Sequence, residues 1–268
     1  MEIEKIRIVP LFAEERKTRI IELLHENTKL VVPQLCVYFN VSPATIRNDL
    51  RELENEGMLT RTHGGAIRNS KTSFELNYYQ KEIENYEKKL AIAKLAIGLV
   101  DDGDTIAIDT GTTTLELAKL LWEKKDVTAV VNDIELARYL EKNSSVNIIM
   151  IGGNIRRNFH CAVGPIAIRA LDGLNVDKAF MATNGISVKK GISTPDINQA
   201  EVKKAMLDIA SEIIVLCDST KIGSHAFVKV APISKVNRLI TDNAIDSNDL
   251  KEFETAGVEV DIADVVEV

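Results

Sequence analysis

The stretch TIAIDTGTTTLELAKLL, residues 105–121, passes from a β-branched apolar run through an acid, a glycine and four hydroxyl residues into a segment of helical period. This is the pattern of a strand, a tight loop and a helix. The same alternation recurs through the rest of the chain. Runs of strand character lie at 127–131 (VTAVV), 146–151 (VNIIMI), 177–183 (DKAFMAT), 212–217 (EIIVLC), 238–241 (RLIT) and 258–263 (VEVDIA). Segments of helical length separate most of them, at 114–123, 134–142 and 198–210. Apolar runs alternating with helices predict βαβ units and an α/β domain: an open, mostly parallel sheet covered on both faces.

Small, polar and charged residues gather after these strands. Asp109, Thr110, Gly111, Thr112, Thr113 and Thr114 follow the first, and Asn132 with Asp133 follow the second. Gly152 and Gly153 follow the third, with Arg156 and Arg157 close behind. Asn184–Gly185 follow the fourth, and Asp218 to Lys221 the fifth. Open parallel sheets bind ligands at the carboxyl ends of their strands. Glycine admits a close backbone approach, threonine hydroxyls and helix N–H groups bond phosphate oxygens, and Lys or Arg supplies countercharge. Neither a GK[ST] loop nor GxGxxG is present, so a nucleoside triphosphate loop and a dinucleotide fingerprint are excluded. A small anionic, hydroxyl-rich molecule, a sugar phosphate, fits this set best. Asp109 and Asp218 have a simpler alternative as helix caps or as structural partners of Lys221.

Upstream, residues 1–68 read differently. EERKTRIIELLHEN (14–27) sets Ile20, Ile21, Leu23 and Leu24 on one side of a helix. VVPQLCVYFNV (31–41) is a second short helix, with Pro33 in its first turn. In SPATIRNDLRELENEGML, Ser42 caps a third helix, Pro43 follows it, Ile46, Leu50 and Leu53 form the inward stripe, and Gly57 ends it. Three helices with a turn at 40–42 make a helix-turn-helix. The face opposite the stripe carries Ala44, Thr45, Arg47, Asn48 and Arg51, side chains able to read guanine and adenine edges in a major groove. The alternative for the arginines is a solvated face paired with Asp49, Glu52 and Glu54. MLTRTHGGAIRN then forms a glycine hairpin, a wing, offering Arg61, His63 and Arg68 to the backbone of double-stranded DNA. Residues 69–90 are polar and increasingly helical. They are taken as a linker helix between this domain and an effector domain at 91–268.

Charge separates the same regions. Residues 1–68 hold 10 basic and 10 acidic residues, so the remaining 23 basic and 30 acidic account for the net −7. A neutral head predicts modest attraction to phosphates and therefore binding as a homodimer or homotetramer. Cys36, Cys161 and Cys217 are odd in number and lack CxxC spacing, which points to a reducing, cytoplasmic setting without a disulfide framework or zinc site. No apolar run is long enough to span a membrane, and the acid-containing start is not a secretory signal.

The residues taken together resemble the DeoR family of bacterial transcriptional regulators. VSPATIRNDLRELENEGMLTRTHGGA is similar to its helix-turn-helix signature, and DGDTIAIDTGTTT, IGGNIRR, NGISVKKGIST, AEVKKAM and DSTKIG follow in order. The resemblance covers residues 14–245. It implies a C-terminal domain of ribose-5-phosphate isomerase-like fold that senses a phosphorylated sugar, and no cofactor or metal. On this basis Asp109 to Thr114, Asn132, Gly152, Gly153, Asn184, Gly185, Glu201, Asp218 and Lys221 surround the effector. Ser42, Thr45, Arg47 and Arg51 face DNA. Asn48 stands where the family commonly has a second Arg, Val131 where Thr is common, and Thr110 where Ser is common. The expected function is a repressor of sugar-utilisation genes. The competing reading is a phosphosugar isomerase with an added DNA-binding domain, using Asp109, Asp218 or Glu201 as base.

Overall fold

A computed structural model describes residues 11–27, 29–55, 58–68, 72 and 75–265, which divide between two units, Met1–Phe74 and Glu75–Val268. The first unit runs α1 (Ala13–Glu26), β1 (Lys29–Val31), α2 (Val32–Phe39), α3 (Pro43–Asn55), β2 (Leu59–Thr62) and β3 (Gly65–Arg68). Ile20, Leu24, Leu35, Ile46, Leu50 and Leu53 close its core. The turn before α3 passes through Asn40 at φ 53°, a left-handed position that asparagine tolerates. Ser42 then caps α3, its Oγ accepting from Thr45 N–H at 3.1 Å. Gly57 lies outside the described residues, as does the side chain of Arg68.

The wing has one more strand than the sequence suggested. β1 pairs with β3, giving the antiparallel order β1-β3-β2. That third strand is why a glycine stands at 65: a Cβ there would lie 1.9 Å from the carbonyl oxygen of Leu30. Asp49, read from sequence as a candidate surface partner, is instead buried. Arg16 of α1 donates to it through Nε at 2.6 Å and Nη2 at 3.0 Å, fastening α1 to α3.

The second unit begins earlier than the sequence indicated. The segment taken as a linker helix over 69–90 contains two helices, α4 (Tyr78–Ile83) and α5 (Tyr86–Ala96), and Leu76, Tyr78, Ile92, Ala93 and Ala96 are buried. The boundary falls at Glu75 because these apolar side chains enter the body's core, despite the charged residues between them. The body continues as β4 (Thr105–Ile108), α6 (Thr112–Ala118), β5 (Thr128–Val131), α7 (Ile134–Asn143), β6 (Asn147–Met150), β7 (Asn154–Arg156), β8 (Cys161–Val163), α8 (Pro165–Arg169), β9 (Val176–Ala182), β10 (Gly185–Ser187), β11 (Gly191–Thr194), α9 (Ile197–Asp208), β12 (Ala210–Leu216), β13 (Val228–Ala231), β14 (Arg238–Asp242), α10 (Ser247–Thr255) and β15 (Glu259–Ala263).

Seven of these strands form one sheet in the order β15-β14-β12-β9-β4-β5-β6, and every pairing in it is parallel. Strand alternation feeds two cores. Ile106, Ile108, Phe180, Ile214 and Leu216 pack on one face with α5, α6 and α7. Ala107, Ala179, Met181, Val215 and Leu239 pack on the other with α8, α9, α10 and a small sheet of order β10-β11-β13. Phe180 is wholly buried in the central strand, and truncating such a residue to alanine costs about 3–5 kcal/mol. From β4 the chain moves outward to β5 and β6, then returns to β9 on the opposite side and continues outward to β15. The β4–β9 junction is thus a topological switch point, where diverging connections open a crevice beyond the strand ends.

Candidate functional site

A cleft of about 550 Å³, counting its open mouth, lies at that junction. One wall is the loop after β4, Thr110–Thr113, and another is Ala182–Asn184 after β9. Leu216, Cys217, Asp218 and Lys221 come from the end of β12, Gln199 and Lys203 from α9, and Lys81, Glu84 and Lys89 from the two helices that open the unit. Gly111 is required by close approach, since a Cβ there would sit 2.5 Å from the Cβ of Ala182. It is also the N-cap of α6, where no side chain caps the helix. The first-turn amides of such a helix are left to solvent or a ligand.

Behind the loop lies a buried polar layer. Lys203 Nζ is bonded to Asp109 Oδ2 and donates to Ala182 O at 2.8 Å. Asp109 also accepts from Ala182 N–H at 3.2 Å and Asn132 Nδ2 at 3.3 Å. Thr114 Oγ1 donates to the carbonyl of Asp109 at 2.7 Å, and Thr110 Oγ1 to Asp133. Asp109 and Lys203 thereby tie β4, β9 and α9 together at the crevice floor. Burying an ion pair is tolerable because both partners keep further hydrogen bonds, Lys203 to Ala182 O and Asp109 from Ala182 N–H and Asn132.

Lys89 is set differently. Its ammonium reaches the carbonyls of Lys81 and Glu82, the latter at 3.0 Å, and Thr112 Oγ1 at 3.4 Å. No carboxylate among the described residues lies in ion-pair reach of it. Burial pulls this ammonium down to about 8, against the partial support of Asp218 and Glu84. Burial lowers Lys81 as well, although Glu75 opposes the shift. The cleft therefore holds lysine charge in poorly solvated surroundings beside hydroxyl groups, an arrangement that favours an anion.

In the head, Ser42, Pro43, Ala44, Arg47, Asn48 and Arg51 are exposed on α3, and Thr45 is half-buried. Arg47 and Arg51 have no side-chain partner among the described residues, whereas Asn48 donates to Glu52 at 2.8 Å. Arg61 pairs with Glu54 at 2.5 Å, joining the wing to the third helix, and His63 stands exposed at the hairpin turn. Of the acidic residues weighed as partners for the α3 arginines, Asp49 serves Arg16, Glu52 serves Lys17 and Asn48, and Glu54 serves Arg61. The two arginines remain outward.

The sequence matches the DeoR C terminal sensor domain over residues 84–243 and the DeoR-like helix-turn-helix domain over residues 16–72. The chain belongs to the DeoR family. Relatives of this DeoR-family regulator include the HTH-type transcriptional regulator GlpR of Haloferax volcanii, 36% identical over 92% of this chain and 96% of that one. GolR of Listeria innocua is 33% identical over 95% and 100%, and a putative aga operon transcriptional repressor of Escherichia coli O157:H7 is 33% identical over 92% of each. Among solved structures, ribose 5-phosphate isomerase A of Methanocaldococcus jannaschii is 21% identical over 52% of this chain and 55% of that one, with a TM-score of 0.40. The Pyrococcus horikoshii translation initiation factor eIF-2B is 15% identical over 88% and 90%, with a TM-score of 0.47.

In this DeoR-family chain the cleft gathers Thr110, Gly111, Thr112, Thr113, Asn184, Asp218 and Lys221 from the residues singled out in the sequence. The others lie elsewhere. Asp109, Thr114 and Asn132 are fully buried behind the wall. Gly152 and Gly153 stand at the turn into β7, where a Cβ on Gly153 would meet the carbonyl of Val163 at 2.8 Å. Gly185 is a packing glycine against His225, at 2.9 Å. Arg156 sits outside the lining, on Glu75 and Gln199. Asp218 is a cap, accepting from Thr220 N–H at 3.0 Å, as its simpler reading held.

Glu201 needs correction: it points outward and pairs with Lys204 at 2.7 Å. Its neighbour Lys203 is the inward residue, and the signal was available. Gln199, Val202, Lys203 and Met206 fall on one helical stripe, all buried. Lys81 and Lys89 carried no comparable mark, lying in a segment where charged residues outnumber apolar ones.

Proposed function

We propose that this transcriptional regulator represses sugar-utilisation genes by binding duplex operator DNA through α3 and the wing as a homodimer or homotetramer. A phosphorylated sugar in the cleft changes its operator affinity. Lys89 carries this reading. Among the described residues, the hydrogen bonds of this buried ammonium go to neutral oxygens, next to Thr112 and within a lining that also holds Lys81, Lys203 and Lys221. A phosphate completes that charge set, while Asn184, Gln199 and Asp218 offer partners to sugar hydroxyls. The word repressor in the name of the aga relative supports the direction of regulation. Against the isomerase reading, Asp109 is held by Lys203, Asp218 caps a turn and Glu201 faces away, so none of the three is placed as a base.

A ligand shifts the equilibrium between DNA-binding and released states only through differential affinity, typically about 1–3 kcal/mol of coupling. The test is a thermal-shift screen of phosphorylated sugars followed by operator anisotropy with each hit. A phosphosugar that raises the melting temperature and moves operator affinity is expected. Turnover of a phosphosugar near ~1 s⁻¹, an ordinary enzyme rate, would instead establish the isomerase.

A further inference from the structure

Glu75 is the first residue of the body, and its side chain is only 4% exposed. Its carboxylate lies 2.5 Å from Lys81 Nζ and 2.8 Å from Arg156 Nη1, and accepts from Asn184 Nδ2 at 3.1 Å. The two cations share a platform. The Arg156 guanidinium lies 3.7 Å from the centroid of the Phe159 ring, and the Lys81 ammonium lies 5.5 Å from the same centroid. Gln199 accepts from Arg156 at 3.1 Å and Asp196 flanks it at 3.5 Å, so the guanidinium is held in place from its other side. Burial by itself would push the Glu75 carboxyl up, but Lys81 and Arg156 together hold it below the usual range.

Among the described residues, every side chain directed at the Glu75 carboxylate is a donor: an ammonium, a guanidinium and an amide. Such a trio accepts a carboxylate or a phosphate alike. Two of its three members, Lys81 and Asn184, also line the cleft. We infer that Lys81, Arg156 and Asn184 form an anion subsite whose resident occupant is Glu75, and that the negatively charged group of the effector displaces that carboxylate. The inference rests on the sensor reading of the cleft and adds how the signal leaves it. Glu75 leads through Leu76 into Asn77, which caps α4 by accepting from Gln80 N–H at 3.0 Å. On its other side it continues covalently into the first unit at Phe74. Evicting Glu75 frees the point where the body takes hold of the connector.

Two physical points favour exchange. A phosphate dianion carries more charge than the carboxylate it replaces, and the difference counts where water is scarce. The resident carboxylate, being intramolecular, lowers the apparent affinity by the fraction of molecules in which the subsite is closed. Removing it should therefore tighten binding.

The experiment uses the full chain, inorganic phosphate as probe, and calorimetry on the wild type and Glu75→Gln. Hydrogen exchange is followed in peptides covering residues 75–83. The glutamine variant is expected to bind phosphate about tenfold more tightly, the scale of one lost charge-assisted competitor. Phosphate is expected to speed exchange over residues 75–80 in the wild type, a readout that stands even where the variant folds poorly. Equal or weaker phosphate binding by Glu75→Gln, or slowed exchange over that segment, overturns displacement and leaves the cleft reading intact. Absence of phosphate binding in both proteins overturns the subsite and the sensor reading together.

Discussion

In each unit a nearly fully buried ion pair joins distant elements, Arg16 with Asp49 between α1 and α3, and Lys203 with Asp109 between α9 and the end of β4. In the head the pair is sealed into the helical core, and the charges proposed for recognition, Arg47 and Arg51, stand in solvent. In the body the same kind of pair sits at the floor of a cleft, with Lys203 in its lining. On the proposed function, recognition and cohesion are separate in the first unit and merged in the second. Exposed arginines act at long range and are screened by salt, while cleft lysines act at contact distance and are screened little.

The largest effect expected comes from cutting either pair. Asp49→Ala and Lys203→Ala should each cost about 3–5 kcal/mol, because a buried partner charge is left behind; urea unfolding of the full chain reads the loss. If Lys203→Ala proves as mild as a surface change, the cleft floor is solvated and the contrast disappears. Next comes Arg47→Ala, expected to cost about 1–3 kcal/mol of operator affinity while phosphate binding stays as it was. Anisotropy at several salt concentrations checks both the loss and the flatter salt slope expected for Arg51→Ala. Unchanged sequence-selective binding would remove α3 from the DNA contact.

A pH titration sharpens the comparison further. Lys89 titrates at about 8 in the folded protein, below its ordinary value of 10.5. Its charge is present below pH 8 and lost above it, so phosphate affinity should fall as pH rises through 8. The fall is up to about tenfold between pH 7 and 9, because a bound anion raises the lysine's proton affinity. The probe for this titration is a phosphate monoester such as a sugar phosphate, which is already dianionic in that window, with its second ionisation near pH ~6. The unliganded protein moves the other way. Between about 8 and 10.5 its unfolded form binds more protons than the folded form, so stability rises with pH there. Calorimetry in two buffers of different ionisation enthalpy reports proton uptake on binding, and none at pH 8 would remove Lys89 from the site. The smallest effect belongs to Glu201→Ala, within about 0.5 kcal/mol of wild type in stability and without effect on phosphate binding.

The sheet was legible because its inner strands are largely buried on both faces, which writes them as unbroken apolar runs, and the more exposed edge strands β6 and β15 stay rich in β-branched residues; all seven lie where those runs do. The short strands at 29–31, 154–156, 161–163, 185–187, 191–194 and 228–231 were not. Three or four residues cannot display a period, and several of these strands take partners far along the chain, as Ser193 does with Lys229. The loop after β4 declared itself by composition. Its backing did not: that Asp109 is met by Lys203 depends on α9 crossing beneath β9, a relation no local spacing contains. The connector misled for the opposite reason. Its abundant charges suggest a solvated helix, yet Glu75, Lys81 and Lys89 are turned inward and answered there.

The missing side chain at Gly111 gives the crevice an unusual sensitivity. With Ala182 Cβ only 2.5 Å from where its own Cβ would stand, the two walls touch at a spot the width of one carbon atom. A methyl group placed there would act as a doorstop, prying the walls apart while leaving every charged and hydroxyl group around the cleft chemically unaltered. Among the described residues, that makes position 111 the place where the openness of the receptor can be set independently of its chemistry.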